Sequence, residues 1–276
     1  LSVVGALSRA SGEDVGDYAI ELGTLSNTNY TLTLSPENLS ITPLSVTVTP
    51  DALTKVYGEL DPVLTYSLSA TSSAMLTATG SLTRASGEDV GDYAIELGTL
   101  SNTNYTLILA PENFQITLLA VTVTPDALSK THGEDDPLLT YTLSATSSAT
   151  LSVVGALSRA SGENVGDYAI NLGTLSNTNY ALNLAAEDFE ITPLAVTVTP
   201  DALSKTYGEV DPPLTYTLSA TSSATLEVSG VLTRDAGEDV VDYAIRLGTL
   251  SNTNYTLSLA PENFQITPLA VTVTPD

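Results

Sequence analysis

The residues able to do chemistry are few, and nearly all of them recur at one spacing. His132 is the only histidine and there is no cysteine, which removes thiolate chemistry, disulfides and thiolate metal sites. A Ser-His-Asp arrangement would need His132, yet the equivalent positions hold Tyr57 and Tyr207. His132 therefore reads as a substituted tyrosine at a strand end, and the chain as non-catalytic. Carboxylates are the abundant reactive groups. Glu134, Asp135 and Asp136 fall in one turn and Glu13, Asp14 and Asp17 in another, with Glu187, Asp188 and Glu190 near a third. Oxygen-rich turns of this kind can ligate Ca²⁺, which takes about six to eight oxygens. None has the alternating acids of an EF-hand loop, and Asp14 and Asp89 are matched by Asn164. A solvated acidic turn is the simpler reading, with Ca²⁺ as the one cofactor left open.

Two cationic slots repeat as well. Arg9, Arg84, Arg159 and Arg234 each stand shortly before a Gly-Glu pair. That spacing suits pairing with a nearby carboxylate more than recognition of a ligand. Lys55 and Lys205 share strand parity with Leu53 and Leu203, which predicts that the lysine lies on the apolar side or at a sheet edge. The Asn27-Thr28-Asn29 turn could touch a glycan but reads first as a hairpin turn.

The elements that position these residues follow from a repeat. VTVTPD begins at Val46, Val121, Val196 and Val271, and SNTNY at Ser26, Ser101, Ser176 and Ser251, a period of 75 residues without insertion or deletion. Such a period exceeds the roughly 20 to 50 residues of solenoid repeats and suits a small domain. Inside one unit apolar residues alternate with Thr and Ser: Val196 and Val198; Leu214, Tyr216 and Leu218; Tyr243 and Ile245; Tyr255, Leu257 and Leu259; Phe264 and Ile266. Each run predicts a half-buried strand bounded by Gly, Pro, Asn and Asp turns. Ser219 to Leu226 reads as a loop or one short helical turn. The boundaries predicted are a partial repeat over 1–43, full repeats over 44–118, 119–193 and 194–268, and the start of another over 269–276. Joints of the form ITPL or ITLL are too short to be flexible linkers. The expected architecture is an elongated rod of mostly β domains, with adjacent copies as possible partners in a fibre or matrix.

Charge narrows the partners. Against 8 Lys+Arg stand 32 Asp+Glu, a formal net charge of -24. Such a surface repels nucleic-acid phosphate and keeps a long chain soluble. No apolar run is long enough to cross a bilayer.

The signature K-x-Y-G-E-x-D-P-x-L-T-Y, carried by Lys55, Tyr57, Gly58, Asp61, Pro62 and Tyr66 and again by Lys205, Tyr207, Gly208, Asp211, Pro212 and Tyr216, resembles the MBG domain family of the Tyr-Gly type. The resemblance implies small β-grasp-like or β-sandwich modules in tandem within large bacterial surface or secreted proteins, often adhesins. It implies an extracellular or cell-surface stalk segment, with multivalent weak binding to glycan, mucin or a host surface as the alternative. His132 and Val241 depart from the pattern, at predicted turn edges.

Overall fold

The structure is a computed structural model that describes residues 1–72, 75–147, 150–221 and 225–274. All regular structure among the described residues is β. Residues 222–224, part of the stretch expected as a loop or helical turn, lie outside them. The chain divides into two compact units, Leu1–Ala120 with Ala145–Thr150 and Thr178–Ala181, and Val121–Ser144 with Leu151–Asn177 and Leu182–Asp276.

The copy over 44–118 lies within the first unit. Its Val-Thr alternation makes Leu44–Pro50 a strand with Val46 and Val48 fully buried. This strand is central in a three-stranded sheet. It runs antiparallel to Tyr66–Ser69, Val48 facing Leu68, and parallel to Tyr105–Leu109, Leu44 facing Tyr105 and Val48 facing Leu109. After Pro50, which has no N–H to donate, the Asp51 N–H reaches the Thr65 carbonyl at 3.0 Å and Thr65 Oγ1 donates to Asp51 Oδ2 at 2.6 Å. The chain then switches to a four-stranded sheet, in the order Leu53–Val56, Asn113–Thr117, Gly91–Glu96, Thr83–Arg84. Its first pair is parallel and the others antiparallel. The two sheets enclose one core of Val48, Leu82, Ile95, Leu100, Phe114 and Ile116.

The second unit contains the same fold over 194–268. Leu194–Pro200 is central between Tyr216–Ala220 and Tyr255–Leu259, and the second sheet runs Leu203–Thr206, Asn263–Thr267, Asp242–Arg246, Thr233–Arg234. The core residues Val198, Leu232, Tyr243, Ile245, Leu250, Phe264 and Ile266 all come from that copy. Val241, where the other copies have Gly16, Gly91 and Gly166, drops out of the strand, but its carbonyl still accepts from Ile266 N at 3.1 Å. Gly91 is close to extended at φ 157°, with nothing within 4 Å of a Cβ placed there. Among the described residues only glycines have a positive φ, so Val241 takes a different backbone conformation there and the strand begins one residue later. Gly80 is the opposite case: its φ is +97° and a Cβ would lie 2.2 Å from the Thr99 carbonyl oxygen.

The fragment over 1–43 forms only the strands Ser8–Arg9, Gly16–Glu21 and Asn38–Ile41, joined in one sheet. Leu7 and Leu39, equivalent to the buried Leu82 and Phe114, are about half exposed there.

Candidate functional site

Two polar constellations recur in register with the repeat, and they meet in one loop. The first joins the lysine and arginine slots. Lys55 stands mid-strand at core parity, so its side chain is 3% exposed. Its Nζ reaches Asp61 Oδ1 at 2.6 Å and Glu88 Oε2 at 2.5 Å. Arg84, at the edge strand, places Nε 2.6 Å from Asp61 Oδ2 and Nη2 2.6 Å from Glu88 Oε1. Its Nη1 donates to the carbonyls of Ala85 at 3.0 Å and Gly87 at 2.6 Å. The guanidinium also lies 5.0 Å from the Tyr93 ring centroid and 5.2 Å from that of Phe114, within cation–π range. Gly87 packs under the same tyrosine: a Cβ there would sit 2.2 Å from the ring.

Two cations and two carboxylates thus close a ring, each carboxylate bridging both cations. Lys130, Asp136, Arg159 and Glu163 repeat it at 2.5–2.6 Å. Lys205, Asp211, Arg234 and Glu238 form it again. Burial alone would lower the Lys55 ammonium, but hydrogen bonds to Asp61 and Glu88 outweigh it and raise it above its ordinary value. The Arg84 hydrogen bonds hold Asp61 down at about 2, from an ordinary 3.8, and Asp136 and Asp211 behave alike. Glu88 is lowered too, first by its hydrogen bond to Lys55. All four groups are held ionised. This is a clasp between the turn after Leu53–Val56 and the loop after Thr83–Arg84.

The second constellation links successive copies. Within the first unit, Asn104 Oδ1 accepts from the Val15 N–H at 2.8 Å while its Nδ2 donates to Asp14 Oδ1 at 2.8 Å. Asn179 treats Val90 and Asp89 identically, both at 2.8 Å. Within the second unit Asn254 grips Val165 at 2.8 Å and Asn164 Oδ1 at 3.0 Å. The gripping residue is the second Asn of SNTNY. The first Asn builds the turn that presents it: Asn102 Oδ1 accepts from Asn104 N at 2.8 Å, and Asn102 Nδ2 donates to the Thr77 carbonyl at 2.9 Å. An aromatic contact accompanies the latch. Tyr57 meets Tyr180 edge-on at 5.9 Å between centroids, and His132 meets Tyr255 at 5.8 Å.

Clasp and latch are adjacent in sequence. Glu88 closes the clasp, Asp89 and Val90 are held by Asn179, and the Tyr93 hydroxyl donates to the Asp89 carbonyl at 2.8 Å. A loop pinned from below is thereby presented to the next copy.

Five of the six residues expected as cation ligands have other partners. Asp136 belongs to a clasp, Glu134 Oε2 accepts from the Thr131 N–H at 2.9 Å, and Asp14 belongs to a latch. Glu13 pairs with Arg9 and Asp17 with the Ser40 hydroxyl. Asp135 is exposed, like Leu60 and Val210 at the same slot. No group of three His, Cys, Asp or Glu residues able to hold a metal occurs among the described residues. His132 sits beside the turn as a tyrosine surrogate, its Nδ1–H donating to the Glu163 carbonyl at 2.7 Å.

The sequence puts Lys55 on the apolar side or at a sheet edge and Arg84 beside a carboxylate, as two separate cationic slots; the structure has Lys55 buried on an edge strand and joins both slots to Asp61 and Glu88. Their joint recurrence (Lys55, Asp61, Arg84 and Glu88 every 75 residues) was the available signal. The latch went unread.

Residues 1–40, 46–115, 121–190 and 196–265 match the MBG domain (YGX type) family; each of the last three matches covers a full clasp, and the first covers only its Arg9–Glu13 part. The chain belongs to the MBG domain family. In MBG terms, the Tyr and Gly of the signature lie at the turn between the clasp lysine and aspartate, and the tyrosine is the ring that meets the next copy. No curated protein matches the chain in sequence. Among solved structures, a crystal structure of the I9–I11 tandem from titin aligns with 81% of this chain and 100% of its own length, at 11% identity and a TM-score of 0.24.

Proposed function

We propose that this chain is a non-catalytic stalk or fibre segment of a large bacterial extracellular or cell-surface protein of the adhesin type. What supports the reading most is the Asn latch. An asparagine side chain of one copy holds a loop of its neighbour, and that loop is braced by the ionic clasp. A side chain that both accepts from a backbone N–H and donates to a carboxylate specifies orientation as well as proximity. Repeated at every joint, it limits the bending that a short ITPL linker would otherwise allow.

The work of such a segment is reach. Each copy is expected to span about 30 to 45 Å, so the array should extend on the order of 110 to 160 Å. The high negative charge keeps neighbouring arrays apart and soluble. Small-angle scattering at about 0.15 M salt is the direct test. A maximum dimension above about 100 Å supports the reading, and the compact envelope of a single globule, about 50 to 60 Å across, overturns it.

A further inference from the structure

A strand at the edge of a sheet offers unpaired N–H and C=O groups, and proteins blunt such edges with short strands or inward-pointing charges. In the copy over 44–118, Thr83–Arg84 is two residues long and Leu53–Val56 turns Lys55 inward. Tyr66–Ser69 shares a groove with Leu76, Thr77 and Ala78. The remaining edge, Tyr105–Leu109, has no charge, no proline and no break in register. Its ladder spends alternate residues on the central strand: the Asn104 carbonyl accepts from the Leu44 N–H at 3.0 Å, and the Ala110 N–H donates to the Val48 carbonyl at 2.8 Å. The main-chain groups of Tyr105, Leu107 and Leu109 therefore point the other way. The Tyr105 N–H bonds back to the Asn102 carbonyl at 3.2 Å. The Tyr105 carbonyl and both main-chain groups of Leu107 and Leu109 have no hydrogen-bond partner among the described residues. Leu257 and Leu259 of Tyr255–Leu259 are open in the same way. The face beside the edge is uncharged as well. Outward side chains of this three-stranded sheet are serine and threonine apart from Ile108, which is 52% exposed. Asn183 and Ser258 occupy the same slot in later copies.

We propose that Tyr105–Leu109 is a lateral contact, pairing antiparallel with the same strand of a second copy of this chain. Charge favours that occupant. With 32 Asp+Glu against 8 Lys+Arg, two copies meet without like-charge contact only where a surface is uncharged, and this sheet edge is such a surface. The pattern of open groups is also self-complementary about a twofold axis at Leu107. Leu107 of each chain donates to and accepts from Leu107 of the other, and each Leu109 N–H donates to the Tyr105 carbonyl of the other chain. The Leu109 carbonyl alone stays solvated. Two three-stranded sheets then continue as one. Ile108 lands beside Thr106 of the second chain, at a non-hydrogen-bonded position where facing side chains lie closest. The same patch is used on both chains, so the contact closes as a dimer. One short edge buries less than the roughly 1,200 Å² of a stable interface, so the association is weak and concentration-dependent. The pairing does not depend on the array being a stalk.

The absence of cysteine makes a clean test. Two single-cysteine chains, Thr106→Cys and Ile108→Cys, are mixed and oxidised at about 0.15 M salt, which screens the repulsion between acidic chains. Positions directly opposed at a non-hydrogen-bonded site lie about 4.5 Å apart between Cα atoms, within disulfide reach, whereas like positions sit on the longer diagonal of about 7–8 Å. The mixed disulfide should therefore exceed both like-with-like products, which intact mass separates because the two chains differ in mass. A random mixture of the three products, or one dominated by like-with-like dimers, overturns the proposal. In sedimentation the cysteine-free chain should rise from 28.6 kDa toward twice that mass between micromolar and submillimolar concentration. Ile108→Glu, at an exposed position that leaves the core alone, should abolish the rise with an unchanged circular dichroism spectrum, and Ser258→Glu should not. A mass that stays at 28.6 kDa throughout, or equal loss from the two substitutions, overturns the proposal.

Discussion

At the scale of single residues, burial decides which charges matter. Exposed ion pairs contribute little, and Arg246 with Asp235 is of that kind, its side chain 62% exposed. Arg84 is 8% exposed, with its guanidinium satisfied by two carboxylates, two carbonyls and two ring faces. Removing it leaves Lys55 facing carboxylates that have lost their fork, and opens the Gly87 loop. Asp61 is 40% and Glu88 68% exposed and both stay paired with Lys55, so Arg84→Ala should destabilise its copy by about 2–3 kcal/mol, through lost charged hydrogen bonds and packing. Lys55→Met keeps the arginine fork and the apolar volume, and should cost only about 1–2 kcal/mol. Hydrogen exchange resolved by segment checks the order, because the intact clasp at Lys205 and Arg234 serves as an internal control. Equal effects of the two changes would show that the arginine does not organise the clasp. Parity limits Lys55 to the apolar side or a sheet edge, since residues two apart on a strand share a face. The distance from Lys55 to Glu88, 33 positions along the chain, has no such local rule.

At the scale of elements, each joint is a side chain from one copy gripping a loop of another. The latches of the three joints differ in one residue. Asn104 and Asn179 donate to Asp14 and Asp89, but Asn254 faces Asn164. Asn→Asp substitution separates them. At positions 104 and 179 it sets a carboxylate against a carboxylate with no donor between, which should loosen the joint and raise exchange at the Val15 or Val90 amide by tenfold or more, the equivalent of about 1.4 kcal/mol. At position 254 the Asn164 amide can turn and donate to the new carboxylate, so Val165 should stay protected. Equal loss at all three joints would contradict the geometry assigned to the latch. The SNTNY turn was legible as a turn because Asn27, Asn102 and Asn252 cap it locally. Its second function was not, since the partner lies 89 or 90 positions away along the chain.

For the whole molecule, the repeated clasp sets the response to acid. Asp61, Asp136 and Asp211 titrate near 2 in the fold and near 3.8 when unfolded. Their folded pKa is the lower one, so their stabilisation is complete above about pH 4 and is lost as pH falls toward 2. The urea midpoint should therefore drop between pH 5 and pH 2.5. A variant with Asp61→Asn, Asp136→Asn and Asp211→Asn should start lower at pH 5 and drop less over that interval. If both proteins drop equally, the clasp is not what titrates. With 13 tyrosines and no tryptophan, tyrosine fluorescence is the available probe.

The sequence by itself determined the repeat, the strands and their inward faces, because these depend on a period of 75 and a period of two that any reader of the chain can count. It also determined that cysteine chemistry is absent and that the charge is strongly negative. Only the tertiary structure decided that the lysine and arginine slots close with Asp61 and Glu88 into one ionic ring, and that an apparent turn residue is the grip between copies. The physical reason is the same in both cases. Hydrogen-bond partners are set by where the chain returns in space, through the sandwich's parallel ladders and sheet switch, and no local spacing encodes that return.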